Sequence, residues 1–141
     1  MSAEREGTDR GILDTSTVVL LERLSDLRAL PAEPMVTAVT LAELAVGPLV
    51  TRDDNERARR QAHLQQAEAD FVPLPFDAEA ARAFGSVAAS LRNSGRKVKA
   101  RGYDAMIAAI AIANDLPVYT CNPRDFDGID RLKVVAVPVP E

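Results

Sequence analysis

Short runs of aliphatic and β-branched residues alternate along this chain with longer stretches of helical period, and the alternation sets the order of elements. Residues 11–14 read as a strand ending at Asp14, and Thr15 and Ser16 open a helix over the apolar run that follows. Pro31 and Pro34 mark a loop, and MVTAV at 35–39 has the content of a second buried strand. From Thr40, TLAELAVG reads as a helix that Gly47 and Pro48 interrupt. Residues 53–69 form a strongly polar helix with acids at its N-terminus, followed by a short extended segment at 71–75. Asp77 caps the next helix, in which Ala80, Ala81, Phe84, Val87, Ala88 and Leu91 keep the i, i+3, i+4, i+7 stripe and Gly95 is the C′ residue. A basic loop over 96–102 leads into residues 103–115, apolar around most of the helix circumference and therefore a buried helix. Strands at 116–121 and 132–137 flank the turn-forming segment PRDFDGID. Short apolar strands separated by helices predict an α/β fold, a parallel sheet with right-handed crossovers.

Composition narrows the function classes. The 141 residues make one domain, 47% hydrophobic and 27% charged, with no internal repeat. One cysteine, Cys121, and one histidine, His63, exclude Cys/His zinc clusters and an internal disulfide, which fits a reducing compartment and a cytoplasmic location. No apolar run is long enough to span a membrane, and MSAEREGTDRG has no signal-peptide core. With 17 basic and 21 acidic residues the net charge is −4, which by itself argues against a general nucleic-acid wrapper. Tryptophan is absent and aromatics are 4%, which argues against stacking platforms for single strands.

The placement of the acids changes that picture. In open α/β sheets ligands bind beyond the carboxyl ends of the strands. Asp14 ends the first strand, Glu43 lies in the helix after the second, Asp104 opens the buried helix, and Asp125 follows the strand ending at Cys121. The predicted fold brings these four to one edge, where their mutual repulsion favours a divalent cation and an all-oxygen shell suits Mg²⁺ or Mn²⁺. Each has a plainer reading. Asp14 can cap a helix, Thr40-x-x-Glu43 spells a capping box, Asp104 suits a helix dipole, and Asp125 sits in a turn sequence. The case rests on the four together.

Four segments, ILDTS, TLAEL, YDAMIAAIA and YTCNPRDFDGI, resemble in this order the signature segments of PIN-domain ribonucleases, over nearly the whole chain from about residue 11. In size and spacing the chain is most similar to the VapC-type toxins of bacterial toxin–antitoxin pairs. The resemblance implies a single PIN-like domain over residues 11–141 behind a flexible tail at 1–10, with a central parallel sheet flanked by helices. It also implies Mg²⁺- or Mn²⁺-dependent cleavage of RNA, a homodimer, and inhibition by a VapB-type antitoxin. Carried onto this sequence, Asp14 and Asp104 are metal ligands, Glu43 completes the acidic cluster, and Ser16 hydrogen-bonds near the metal. Asn122 stands where many relatives carry an acid, and Asp125, three residues on, is the candidate to supply that charge.

Other residues carry less. Arg96, Lys97, Lys99 and Arg101 gather just before Asp104, either as an RNA phosphate track or as a solvated helix end and loop. His63, on a polar helix, is read as solvent-facing with no catalytic role, and Cys121 as a small core residue. Val19, Leu20 and Leu24 are candidates for a groove that takes an amphipathic antitoxin helix, or are ordinary core. Asn122 leaves open a second reading, a catalytically weak module that binds RNA or protein. Phosphotransfer through Asp14 is disfavoured because Ser16 stands where a second aspartate would be needed.

Overall fold

The computed structural model describes residues 9–24 and 26–139, apart from the side chain of Ala100. Four strands form one parallel sheet: β1 (Arg10–Leu13), β2 (Glu33–Met35), β3 (Val118–Thr120) and β4 (Val134–Ala136), in the order β2-β1-β3-β4. The helices are α1 (Thr15–Leu20), α2 (Ala38–Val46), α3 (Asp54–Asp70), α4 (Ala78–Asn93) and α5 (Gly102–Ala113). This is the single α/β domain that the alternating pattern predicts.

Burial explains the layers. Ile107, Ala108, Ile110 and Ala111 of α5 are fully buried, packed with Ile12 and Val118 of the sheet and Val87 and Leu91 of α4. A second cluster joins Leu13, Val18, Val36, Leu44 and Ala67, tying α1, α2 and α3 together. The sheet is thus covered on both faces, as a parallel sheet requires. The end of α4 follows from backbone chemistry. Gly95, at φ +80°, donates to the Arg92 carbonyl at 3.0 Å, and the Arg96 amide donates to that of Leu91 at 2.8 Å, so two end carbonyls are satisfied. Gly11 has a different reason: a side chain there would run into the Tyr119 ring on the neighbouring strand.

β3 and β4 are shorter than the expected 116–121 and 132–137, and larger differences from the sequence expectation fall around the second strand and the segment at 71–75. The second strand spans Glu33–Met35 rather than residues 35–39, and Pro34 belongs to it instead of a loop. An edge strand tolerates proline because one of its sides needs no donor. The following helix begins at Ala38, because Thr37 is extended and its hydroxyl accepts the Thr40 amide at 3.2 Å. Thr40 therefore lies inside α2, and the Thr40–Glu43 capping box does not form. The extended segment at 71–75 appears as a single parallel bridge between Leu74 and Thr37. Of the expected tail at 1–10, residues 1–8 lie outside the described residues, while Arg10 is in β1 and pairs with Glu33 at 3.4 Å. Among the described residues no helix is long and apolar enough to cross a membrane.

Candidate active site at the carboxyl edge of the sheet

From β1 the chain crosses to β2 on one side and later returns to β3 on the other. The carboxyl ends of β1 and β3 therefore form the topological switch point, where α/β sheets open a crevice. Asp14 stands at that point as the N-cap of α1. Its carboxylate is 2% exposed and is the target of four donors. The Thr17 amide donates to Oδ1 at 3.1 Å and the Thr17 hydroxyl at 2.7 Å. The Thr120 hydroxyl donates to Oδ2 at 2.8 Å, and the Ser16 hydroxyl lies 3.0 Å from both oxygens. Thr120 in turn accepts the Asn122 amide at 2.9 Å, so Asn122 enters the site through its backbone while its side chain lies on an exposed residue.

Glu43 is held differently. The Thr15 hydroxyl donates to its Oε1 at 2.6 Å and lies 3.0 Å from the Thr40 hydroxyl. A hydroxyl has one hydrogen, so with that of Thr15 on Glu43, Thr40 donates to Thr15. The Thr40 hydroxyl that the sequence suggested for a cap thus braces the site from inside α2. Burial raises the Glu43 pKa above the usual carboxylate range; the Thr15 hydrogen bond opposes the shift and the Asp14 charge adds to it.

Asp104, in the first turn of α5, has no hydrogen bond or ion pair among the described residues. Its pKa rises to about 7, first through burial and then through the charges of Asp125, Glu43 and Asp14, with Arg101 opposing. All four acids singled out in the sequence thus stand within electrostatic reach of one point. Asp125 lies 3.9 Å from Arg101, which also donates to the Arg124 carbonyl at 3.2 Å. In front of the acids opens a cleft of about 520 Å³ lined by Glu43, Lys99, Arg101, Tyr103, Asp104 and Met106.

Of the four cations ahead of Asp104, the structure puts two to internal use. Arg96 lies 3.8 Å from Asp127, and Arg101 braces the loop after β3. Lys99 lines the cleft and Lys97 is exposed. His63 departs from its expectation: it is half-buried, not solvent-facing, because α3 turns it toward α1. It lies with Val19 where two hollows of about 320 and 340 Å³ meet, the second also lined by Thr15 and Glu43. Leu24 and Cys121 are core, while Leu20 packs beside them half-buried.

The donor set fits a hard divalent cation. The carboxylates repel one another, and Asp104 presents its oxygens to the cleft without another partner. Asp14 keeps capacity on Oδ2, since a carboxylate has about four acceptor sites and this oxygen carries only Thr120 and a share of Ser16. Among the described residues no three acidic, histidine or cysteine side chains are already close enough to cage a metal.

Thr15, Thr17 and Thr120 are the site residues that sequence reasoning missed. Two signals were present: three hydroxyl residues in a row after Asp14, where a single helix cap needs only one, and a threonine at the end of the buried strand VYTC.

Comparisons with known proteins show the family and the fold. The PIN domain model matches residues 12–132. Ribonuclease VapC5 of Mycobacterium tuberculosis is 40% identical over 129 residues, covering 90% of this chain and 93% of the relative. Ribonuclease VapC of Rickettsia bellii is 28% identical, covering 91% and 96%. The crystal structure of VapBC-5 from M. tuberculosis, a member of the VapBC family of toxin–antitoxin systems, superposes with a TM-score of 0.78 at 37% identity, covering 92% of this chain and 99% of that one. DNA-bound VapBC from Salmonella typhimurium gives 0.68 at 26% identity, covering 90% and 96%. The order of the sheet, the acids at its switch point and these matches make the chain a member of the PIN-domain family, on its VapC ribonuclease branch.

Proposed function

We propose that this protein is the toxin of a VapBC-type pair, an endoribonuclease that depends on Mg²⁺ or Mn²⁺ and is blocked by a VapB-type antitoxin. The observation that carries the reading is Asp104: a half-buried carboxylate with no hydrogen bond or ion pair among the described residues, at the lip of an open cleft, its pKa raised by burial and by three other acids. Asp104 and Asp14 would hold the cation, with Glu43 and Asp125 completing the negative field. When bound, such a cation lowers the pKa of water and offsets charge on a phosphate, which removes the need for a histidine. The protein's own part is to fix the carboxylates. The buried hydroxyls of Thr17 and Thr120 hold Asp14, and Thr15 aims Glu43.

The antitoxin reading draws support from the groove beside α1 and α3. Val19, Leu44 and Ala67 supply its apolar lining, and its inner end reaches Glu43. An amphipathic helix seated there would bring a cationic side chain within reach of the acids. Sedimentation of the purified chain tests the homodimer implied by the resemblance, and a single species of monomer mass would overturn it.

Purified protein is expected to cut single-stranded RNA in millimolar Mg²⁺, to stop in chelator, and to recover with Mn²⁺. RNA binding without cleavage in Mg²⁺ would establish the second reading, a binding module, which the neutral Asn122 favours. A further expectation follows from the hydroxyl brace. Thr15→Val removes the donor to Glu43 and lowers kcat about tenfold, the scale of one charge-assisted hydrogen bond. Thr15→Ser restores it. Equal rates in Thr15→Val and the parent would show that Glu43 needs no such guide.

A further inference from the structure

We propose that the cleft beside the acids is a nucleobase subsite in which Tyr103 stacks on an unpaired base next to the cleaved phosphate. The inference rests on the ribonuclease reading and adds what that reading lacks, a residue that grips the substrate's base.

The chain has six aromatic residues, and five are accounted for by packing. Phe126 is in the core, Phe71, Phe84 and Tyr119 are half-buried against it, and Phe76 meets Phe84 edge-on with ring centroids 6.2 Å apart. Tyr103 is the most exposed of the six, at 45%, and no aromatic pair or hydrogen bond among the described residues uses it. Tyr103 and Asp104 both line the cleft, so a base on the ring lies beside the reactive edge. Met106, three residues on and so on the same face of α5, lines the cleft with it and offers a polarizable second wall. Lys99, also lining the cleft and without an ion pair among the described residues, is placed for a flanking phosphate. At about 520 Å³ the cleft has room for a base and its sugar-phosphate. A base in a regular duplex shows no free face, so the subsite selects loops, ends and single strands. Stacking is tolerant of sequence, because every base has a π-face.

The test walks a single abasic nucleotide across the cleavage site of a single-stranded RNA, with the parent, Tyr103→Phe and Tyr103→Ala. At one position the abasic substrate is expected to lower kcat/KM of the parent and of Tyr103→Phe by about tenfold or more. Tyr103→Ala is expected to cut normal RNA more slowly by a similar factor and to be indifferent to that abasic position. Equal abasic losses in the parent and Tyr103→Ala would overturn the proposal. A second readout is independent of cleavage. Tyr103→Trp introduces the chain's sole tryptophan, and its fluorescence in chelator is expected to be quenched by the normal oligonucleotide but not by a fully abasic one. Quenching in chelator together with no cleavage of the same RNA by the parent in millimolar Mg²⁺ would retain the subsite and remove the nuclease reading; no difference between the two oligonucleotides would remove the subsite.

Discussion

Asp104→Asn is expected to abolish RNA cleavage, by on the order of a thousandfold or more, while making the metal-free protein more stable at neutral and alkaline pH. The two effects have one cause. Asp104 is forced to share its surroundings with Asp125, Glu43 and Asp14 in a half-buried place, and its pKa rises from 3.8 to about 7. A carboxyl whose pKa is higher folded than unfolded contributes stability that is fully present below the unfolded value and lost as pH rises through the folded one. For Asp104 the loss runs from about pH 4 to about pH 7. Asparagine has the shape without the charge, so the variant gains on the parent over that window and keeps the gain above it. Solvent reaches this group, so the gain at pH 8 is about 1 kcal/mol, roughly 3–5 °C in Tm. At pH 4 the two melt together. Mg²⁺ is expected to raise the Tm of the parent at pH 8 and to leave the variant nearly unchanged. Undiminished cleavage by Asp104→Asn would remove this acid from the active site, and a lower Tm at pH 8 would show that the carboxylates do not repel as described.

Asp14→Ala is expected to inactivate as well, but with the opposite effect on stability. Its carboxylate receives the Thr17 amide, the Thr17 and Thr120 hydroxyls and the Ser16 hydroxyl, and Thr17 and Thr120 are fully buried. With the acceptor gone, the buried Thr120 hydroxyl has no other acceptor among the described residues, while the Thr17 hydroxyl falls back on the Tyr119 carbonyl at 3.3 Å and its amide keeps the Asp14 carbonyl at 3.1 Å; a buried unpaired group costs about 1–3 kcal/mol. One orphaned hydroxyl and the weaker fallback bonds of Thr17 set the loss at about 2–3 kcal/mol, or roughly 6–12 °C in Tm. Urea unfolding measures it directly. A midpoint unchanged from the parent would mean that the hydroxyl network does not hold the edge of the sheet. Two acids of the same cluster are thus distinguished: Asp14 serves the fold and the site together, whereas Asp104 serves the site at the fold's expense.

Much of this was legible in the chain. The apolar residues 105–111 have no polar face, so α5 had to be buried, and Asp77 and Gly95 bracket α4 with the two end signals that helices use. Asp14, Glu43, Asp104 and Asp125 were legible as candidates because Asp14 and Asp125 follow strands and Glu43 and Asp104 lie in helices of an alternating pattern. The start of α2 was misplaced because Thr37 and Thr40 both have the chemistry of a cap, and only the bridge from Thr37 to Leu74 decides between them. His63 was misjudged because a helix polar on most sides gave no sign of which side meets α1.

The division has a physical reason. Local pattern determines what depends on neighbours within a few positions: the period of apolar residues, the caps, the order of strands and helices. By itself the sequence therefore settled that this is a parallel α/β domain with acids at one edge. What makes that edge a site depends on groups far apart in the chain. Thr15 meets Glu43 across 28 residues and Thr120 meets Asp14 across 106. Only tertiary structure turned a spare threonine into a brace, set Asp104 beside three like charges with no hydrogen bond or ion pair among the described residues, and kept Tyr103 exposed at the cleft while the other aromatics found packing. Burial and charge act through space, and no spacing along the chain records how close the folded parts will come.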